Sequence, residues 1–132
     1  MSEEEQSNNN TNNIENIHNT FIIKQGRFEG PYMKLLEMIE NRKLSISEIS
    51  LSQVADDYIA FIQSLKNNNY DIRPEDLSQF VLIASTLMLI KARSLLPDIK
   101  LELSEEKEIS QLEHKLELLK LLKLAENNIK SC

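Results

Sequence analysis

From Pro31 onward, apolar residues recur at three- and four-residue spacing, and the runs are broken at Pro, Ser and Asn. That period belongs to helices packed on one face, and it predicts four of them. The first opens at Pro31, where a missing N–H costs nothing, with Gly30 at the cap and Met33, Leu36 and Ile39 on its apolar face. Two capping boxes follow in series, Ser45-x-x-Glu48 and Ser50-x-x-Gln53. The first is expected to open a single turn. The second is expected to open a helix over Leu51–Leu65, with Val54, Tyr58, Ile62 and Leu65 on one face and a stop at Asn67-Asn68-Asn69.

The third predicted helix begins at Pro74, carries Glu75 and Asp76 in its first turn, and runs to Leu96 before Pro97. It is apolar on two faces. Leu77, Val81, Ala84, Met88 and Leu95 form one stripe, and Phe80, Ile83, Leu87 and Ile90 form another. A surface helix needs one stripe, so this helix is either central to its own bundle or awaits a partner chain. A polar stretch over Asp98–Glu108 leads to a fourth helix, from about Glu105 to Lys130 with Ser104 as cap. Ile109, Leu112, Leu116 and Leu119 have seam spacing, while Leu118, Leu121, Leu122, Ala125 and Ile129 continue on a shifted face. The seam fits a partner's groove as well as it fits the chain's own bundle.

Ahead of these helices the pattern is different. Residues 1–18 are Asn-, Glu- and Ser-rich and bury too little surface to offset ordering entropy, so they read as a disordered tail. Phe21–Lys24, "FIIK", reads as one short strand or as an extended arm packed on helices. The expected fold is therefore all-α, a small bundle of about four helices. With 132 residues, only 2 Gly and 3 Pro, the composition agrees and disfavours a many-stranded sheet.

Charge narrows the function. The formal net charge is −6. Glu3, Glu4, Glu5 and Glu15, with no Lys or Arg before residue 21, supply −4 of it; the remaining 17 acids and 15 bases leave −2. A nearly neutral folded part has no basic stripe to track a phosphate backbone, so direct DNA binding is not expected. The acidic N-terminus is the reverse of a signal peptide. The most apolar run, Phe80–Ile90, is too short for a membrane span and contains Ser85 and Thr86. Neither membrane nor small-molecule partners are expected.

No catalytic constellation is present. His18 and His114 lie far apart without ligand-spaced neighbours, and Cys132 is terminal with no adjacent base, so no metal, cofactor or nucleophile is expected. Gly26 and Gly30 are the only glycines, too few for a phosphate loop. Asp56 and Asp57 point about 100° apart on a helix and read as solvated surface. The residues taken alone describe a helical interaction module, not an enzyme.

Four stretches, in order and spacing, resemble the N-terminal half of the ScpA family, the kleisin subunits of bacterial Smc condensin complexes. They are "FEGPYMKLLEMIENRKLSISEI", "ADDYIAFIQSL", "LSQFVLIASTLMLIKARSLLP" and, more weakly, "LELLKLLKLAE". The motif positions are Phe28, Gly30 and Pro31 at the start, and Lys91, Arg93, Leu95, Leu96 and Pro97 in an intact Ile-Lys-x-Arg-x-Leu-Leu-Pro. Tyr32-Met33-Lys34 departs from the usual Leu-Asp-Leu. The chain stops at Cys132, where the family continues to a winged helix that binds the Smc head; a truncated chain or a short relative is expected.

The resemblance implies a cytoplasmic, nucleoid-associated adaptor without catalysis, reaching DNA only through the complex. Residues 19–97 would form the domain that binds the Smc coiled-coil neck, and 98–132 the linker and helix that dock on the ScpB dimer. We assign the neck-facing stripe to Phe80, Ile83, Leu87, Ile90 and Ser94, although periodicity accommodates the reverse choice. The ScpB-facing side is assigned to Leu118, Leu121, Leu122 and Ala125. Two alternatives remain open: a helical module that self-associates through its last helix, and a helix-turn-helix regulator. The second would need clustered Lys or Arg on an exposed helix face, and Leu51–Leu65 contains none.

Overall fold

A computed structural model describes residues 30–68 and 72–130, and four helices account for most of them: α1 (Pro31–Asn41), α2 (Glu48–Asn67), α3 (Pro74–Leu95) and α4 (Leu103–Lys130). The tail over 1–18, the segment 21–24, Phe28, His18 and Cys132 lie outside the described residues. The all-α bundle is the architecture that the spacing predicts.

Each helix boundary has a local cause. Gly30 precedes α1 with φ +140° and ψ −160°, a backbone region that only glycine enters without strain, and Pro31 takes the first helical position. A Cβ there would meet nothing within 4 Å, so the backbone and not crowding requires the glycine. At the other end, Lys43 N–H donates to Glu40 O at 2.9 Å and Leu44 N–H to Ile39 O at 3.1 Å. These are the paired bonds of a Schellman turn, with Lys43 left-handed at φ +57° where glycine is the usual occupant.

The serines cap differently from the expectation. Ser47, not Ser45 or Ser50, is the N-cap of α2: its backbone is extended and its hydroxyl accepts from Ser50 N–H at 3.1 Å. Ser50 is itself buried in the first turn. The expected single turn and the expected helix from Leu51 are thus one helix from Glu48. The fourth helix likewise starts two residues early, at Leu103. Glu105 reaches back to accept from Glu102 N–H at 2.9 Å, so Ser104 lies inside the helix rather than at its cap.

The core is one cluster built from all four helices. α1 contributes Met33, Leu35, Leu36 and Ile39; α2 contributes Leu51, Val54, Ala55, Tyr58 and Leu65; α3 contributes Phe80, Ile83, Leu87 and Ile90; α4 contributes Ile109, Leu112 and Leu116. α2 and α4 each pack on α1 and α3. Aromatic packing joins α2 to α3, with the Phe80 ring centroid 5.9 Å from Tyr58 and 6.0 Å from Phe61. By length and hydropathy α3 alone among the described helices could cross a membrane, but its core face is occupied by α1, α2 and α4.

Tyr58 ties α2 to the start of α1. Its buried hydroxyl donates to Pro31 O at 2.8 Å. Burial, with a further contribution from Tyr32, pushes the phenol far above the ordinary tyrosine range. Above pH ~10 the unfolded chain releases this proton while the folded chain keeps it, so stability is full below that pH and falls above it. We predict that Tyr58→Phe costs about 1 kcal/mol at neutral pH, the net value of one hydrogen bond. The variant also loses stability less steeply than the wild type above pH ~10. Urea melts across the alkaline range measure both.

Candidate interaction surfaces

The two stripes of α3 have opposite fates. Phe80, Ile83, Leu87 and Ile90, assigned from sequence to the neck-facing side, are buried in the chain's own core, Leu87 at 0% exposure. Ser94 lies at the helix end and is exposed. The outward stripe is the other one: Leu77, Val81, Met88 and Leu95 are exposed, Met88 at 60%. Leu82 is exposed beside them, and Ala84 is half-buried. The physical reason is area. The buried stripe carries a bulky side chain at every position, whereas the outward one passes through Ala84, so burying the first removes more apolar surface from water.

Ser85 is exposed beside the outward stripe and Thr86 is buried, and both hydroxyls turn back onto the helix. Ser85 Oγ donates back to Val81 O at 3.0 Å, and Thr86 Oγ1 to Leu82 O at 3.2 Å. Those hydroxyl protons are spent on the helix's own backbone.

α4 is divided in the same way. Its seam, Ile109, Leu112 and Leu116, is buried against the bundle, with Leu119 half-buried. Leu118, Leu121, Leu122 and Ala125, assigned from sequence to a partner-facing side, are exposed, Leu121 at 62%, and Leu124 joins them. Lys123 Nζ donates to Glu40 Oε1 at 2.8 Å and anchors this half of α4 to α1. His114 is exposed. No group of three or more His, Cys, Asp or Glu positioned to hold a metal ion occurs among the described residues.

The Ile-Lys-x-Arg motif is structural. Lys91 pairs with Asp56 of α2. Arg93 donates through Nε to Glu48 Oε1 at 3.0 Å and pairs through another guanidinium nitrogen with Glu106. The end of α3 is thus fastened to the starts of both α2 and α4. Hydrogen bonds that the guanidinium donates to Glu106 and then to Glu48 hold it above its ordinary pKa. Burial pushes the nearby Glu113 carboxyl up, with Glu48 adding to the shift and Arg93 opposing it. Asp57 pairs with Arg42, so both members of the Asp56-Asp57 pair are used in separate ion pairs on the surface of α2. Leu96 and Pro97 lie in the exposed turn after α3, closed by Ile99 N–H to Leu96 O at 3.0 Å.

Sequence reasoning left Glu48 and Glu106 unassigned as Arg93 partners. They stand 45 and 13 residues from it, and no local spacing relates them. The departure at Tyr32-Met33-Lys34 is absorbed by packing. Met33 is in the core, the Lys34 ammonium lies 4.5 Å from the Phe61 ring centre, and the Lys115 ammonium lies 4.0 Å from that of Tyr32. Burial raises the Tyr32 phenol pKa as well.

The family model for segregation and condensation protein ScpA matches residues 38–127. The weakly resembling fourth stretch falls inside that match, whereas the Phe28–Pro31 start precedes it. Segregation and condensation protein A of Clostridium tetani is 42% identical over 89 residues, 67% of this chain and 33% of the relative. That of Caldanaerobacter subterraneus subsp. tengcongensis is 36% identical over 87 residues, 66% and 34% respectively. That of Clostridium acetobutylicum is 34% identical over 116 residues, 85% and 45%. The chain spans between a third and a half of the length of these relatives. No solved structure gives a significant match. A match over most of the chain, together with a four-helix fold that uses the Lys91 and Arg93 motif to fasten its helices, identifies the chain as a member of the ScpA family of segregation and condensation proteins.

Proposed function

We propose that the chain is a non-catalytic kleisin-type adaptor in chromosome segregation and condensation. The outward stripe of α3 (Leu77, Val81, Met88, Leu95) binds the Smc coiled-coil neck. The exposed leucine face of α4 (Leu118, Leu121, Leu122, Ala125) binds ScpB. The observation that carries the reading is that a bundle with a filled core leaves two separate apolar helix faces in water. Aliphatic stripes of this kind gain affinity by desolvation when a second helix covers them. In this reading ATP hydrolysis belongs to Smc, and DNA and the nucleoid are reached through the complex.

The test is a titration of the full chain with a neck fragment and, separately, with the ScpB dimer. Binding of both at micromolar concentration or tighter is expected. Leu121→Asp removes ScpB binding, with a loss of at least about 2 kcal/mol if Leu121 is a central anchor, and leaves neck binding unchanged. Absence of wild-type binding to either partner overturns the adaptor reading. A second reading, self-association through α4, is favoured by the same exposed leucines; a concentration-dependent mass that Leu121→Asp abolishes would support it instead.

A further inference from the structure

The outward side of α3 repeats every seven residues. Val81, Met88 and Leu95 stand seven apart, and all three are exposed. A second aliphatic row, the exposed Leu82 and the half-buried Leu89, has the same step. Between the two rows run Ser78, Ser85 and Ala92, again seven apart. At about 100° per residue the middle row lies roughly opposite the buried stripe of Ile83 and Leu87. Two aliphatic ridges thus flank a valley of small side chains on the side away from the core. Ser85 Oγ donates to Val81 O at 3.0 Å, so its proton is not presented to the valley.

A step of seven selects the kind of helix that can cover it. Helices that cross steeply, near 50°, match rows stepped by four. Rows stepped by seven stay in contact with a second helix only when the two wind round each other at about 20°, as in a left-handed coiled coil. From Ser78 to Leu95 the rows run for about 25 Å at 1.5 Å per residue, enough for two heptads of contact. The valley floor also sets the distance. Packed helix axes lie about 8–10 Å apart according to the side chains at the contact, and Ser and Ala put this contact at the close end.

We infer that Ser78, Ser85 and Ala92 are specificity-determining residues of the α3 site: they seat one helix of a coiled coil at close approach, with the two aliphatic ridges gripping its flanks. The inference rests on the adaptor reading and adds to it the register and spacing at which the neck is held. A larger side chain on the valley floor lifts the neck helix off both ridges, although it adds apolar surface.

Titration of the full chain with the Smc neck fragment tests this through the sign of the effect of Ser85→Leu. On a featureless apolar face the added leucine tightens binding. In the valley it overpacks the contact, and neck affinity falls by at least about tenfold. Ser85→Ala keeps the floor low and retains neck binding. Ser85 and Ser78 are both exposed, so Ser85→Leu and Ser78→Leu keep the wild-type melt by circular dichroism, and Ser78→Leu repeats the loss one heptad earlier. ScpB binding is unchanged in both leucine variants. Equal or tighter neck binding by the two leucine variants, with the wild type binding, overturns the inference and leaves the adaptor reading standing. A wild type that does not bind the neck overturns both.

Discussion

Replacing Leu87 by Glu is expected to unfold the domain. Leu87 is wholly buried in the core cluster to which all four helices contribute. Truncating such a leucine to Ala alone costs about 2–5 kcal/mol through lost burial and the cavity left behind. A carboxylate at the same place must in addition be desolvated without a partner, or be held protonated, at several kcal/mol more. The sum approaches or exceeds the roughly 5–15 kcal/mol that holds a domain folded. Far-UV circular dichroism should show lost helicity and no cooperative melt for Leu87→Glu, and a lowered but cooperative melt for Leu87→Ala. A wild-type melt for Leu87→Glu would remove this stripe from the core.

The neighbouring residue gives the opposite result. Met88→Glu and Val81→Glu change exposed positions on the outward stripe, where substitutions typically shift stability by about 0.5 kcal/mol or less. Their melts are expected to match the wild type. Their affinity for the Smc neck is expected to fall by about 30-fold or more each, the equivalent of about 2 kcal/mol at a central anchor. Binding to ScpB stays at the wild-type level in both variants. On the adaptor proposal, the adjacent residues Leu87 and Met88 are expected to separate folding from recognition. Unchanged neck affinity in both outward variants, with the wild type binding, would move the interface off this face.

Much of the fold is legible in the sequence because its signals are local. Pro31 and Pro74 open helices, Pro97 follows the end of one, and the three–four spacing of leucines marks the apolar sides. The cap of α2 is less legible. Ser45, Ser47 and Ser50 are all competent hydroxyls, and the selection falls to Ser47, where an extended backbone meets the buried Ser50 and Leu51. The direction of α3 is not legible at all from periodicity. Periodicity gives two stripes without a sign; the difference lies in bulk, with Ala84 on the outward stripe and a large side chain at every position of the other, where Phe80 packs on Tyr58 and Phe61 of another helix. On α4 the seam and the shifted leucine face are separable, because the three–four spacing of the seam continues from Leu116 to Leu119 while Leu118, Leu121 and Leu122 fall beside it. The roles of Glu48 and Glu106 were hidden because only the folded chain brings them to Arg93.

That three-way contact also bears on which cation can occupy position 93. A guanidinium is a rigid planar fork, and its separate nitrogens aim at Glu48 and Glu106 in fixed directions. The start of α4 is therefore keyed to the start of α2 through one side chain on a third helix. A lysine would keep the charge but offers a compact ammonium on a flexible stem, which neutralises two carboxylates without indexing one to the other.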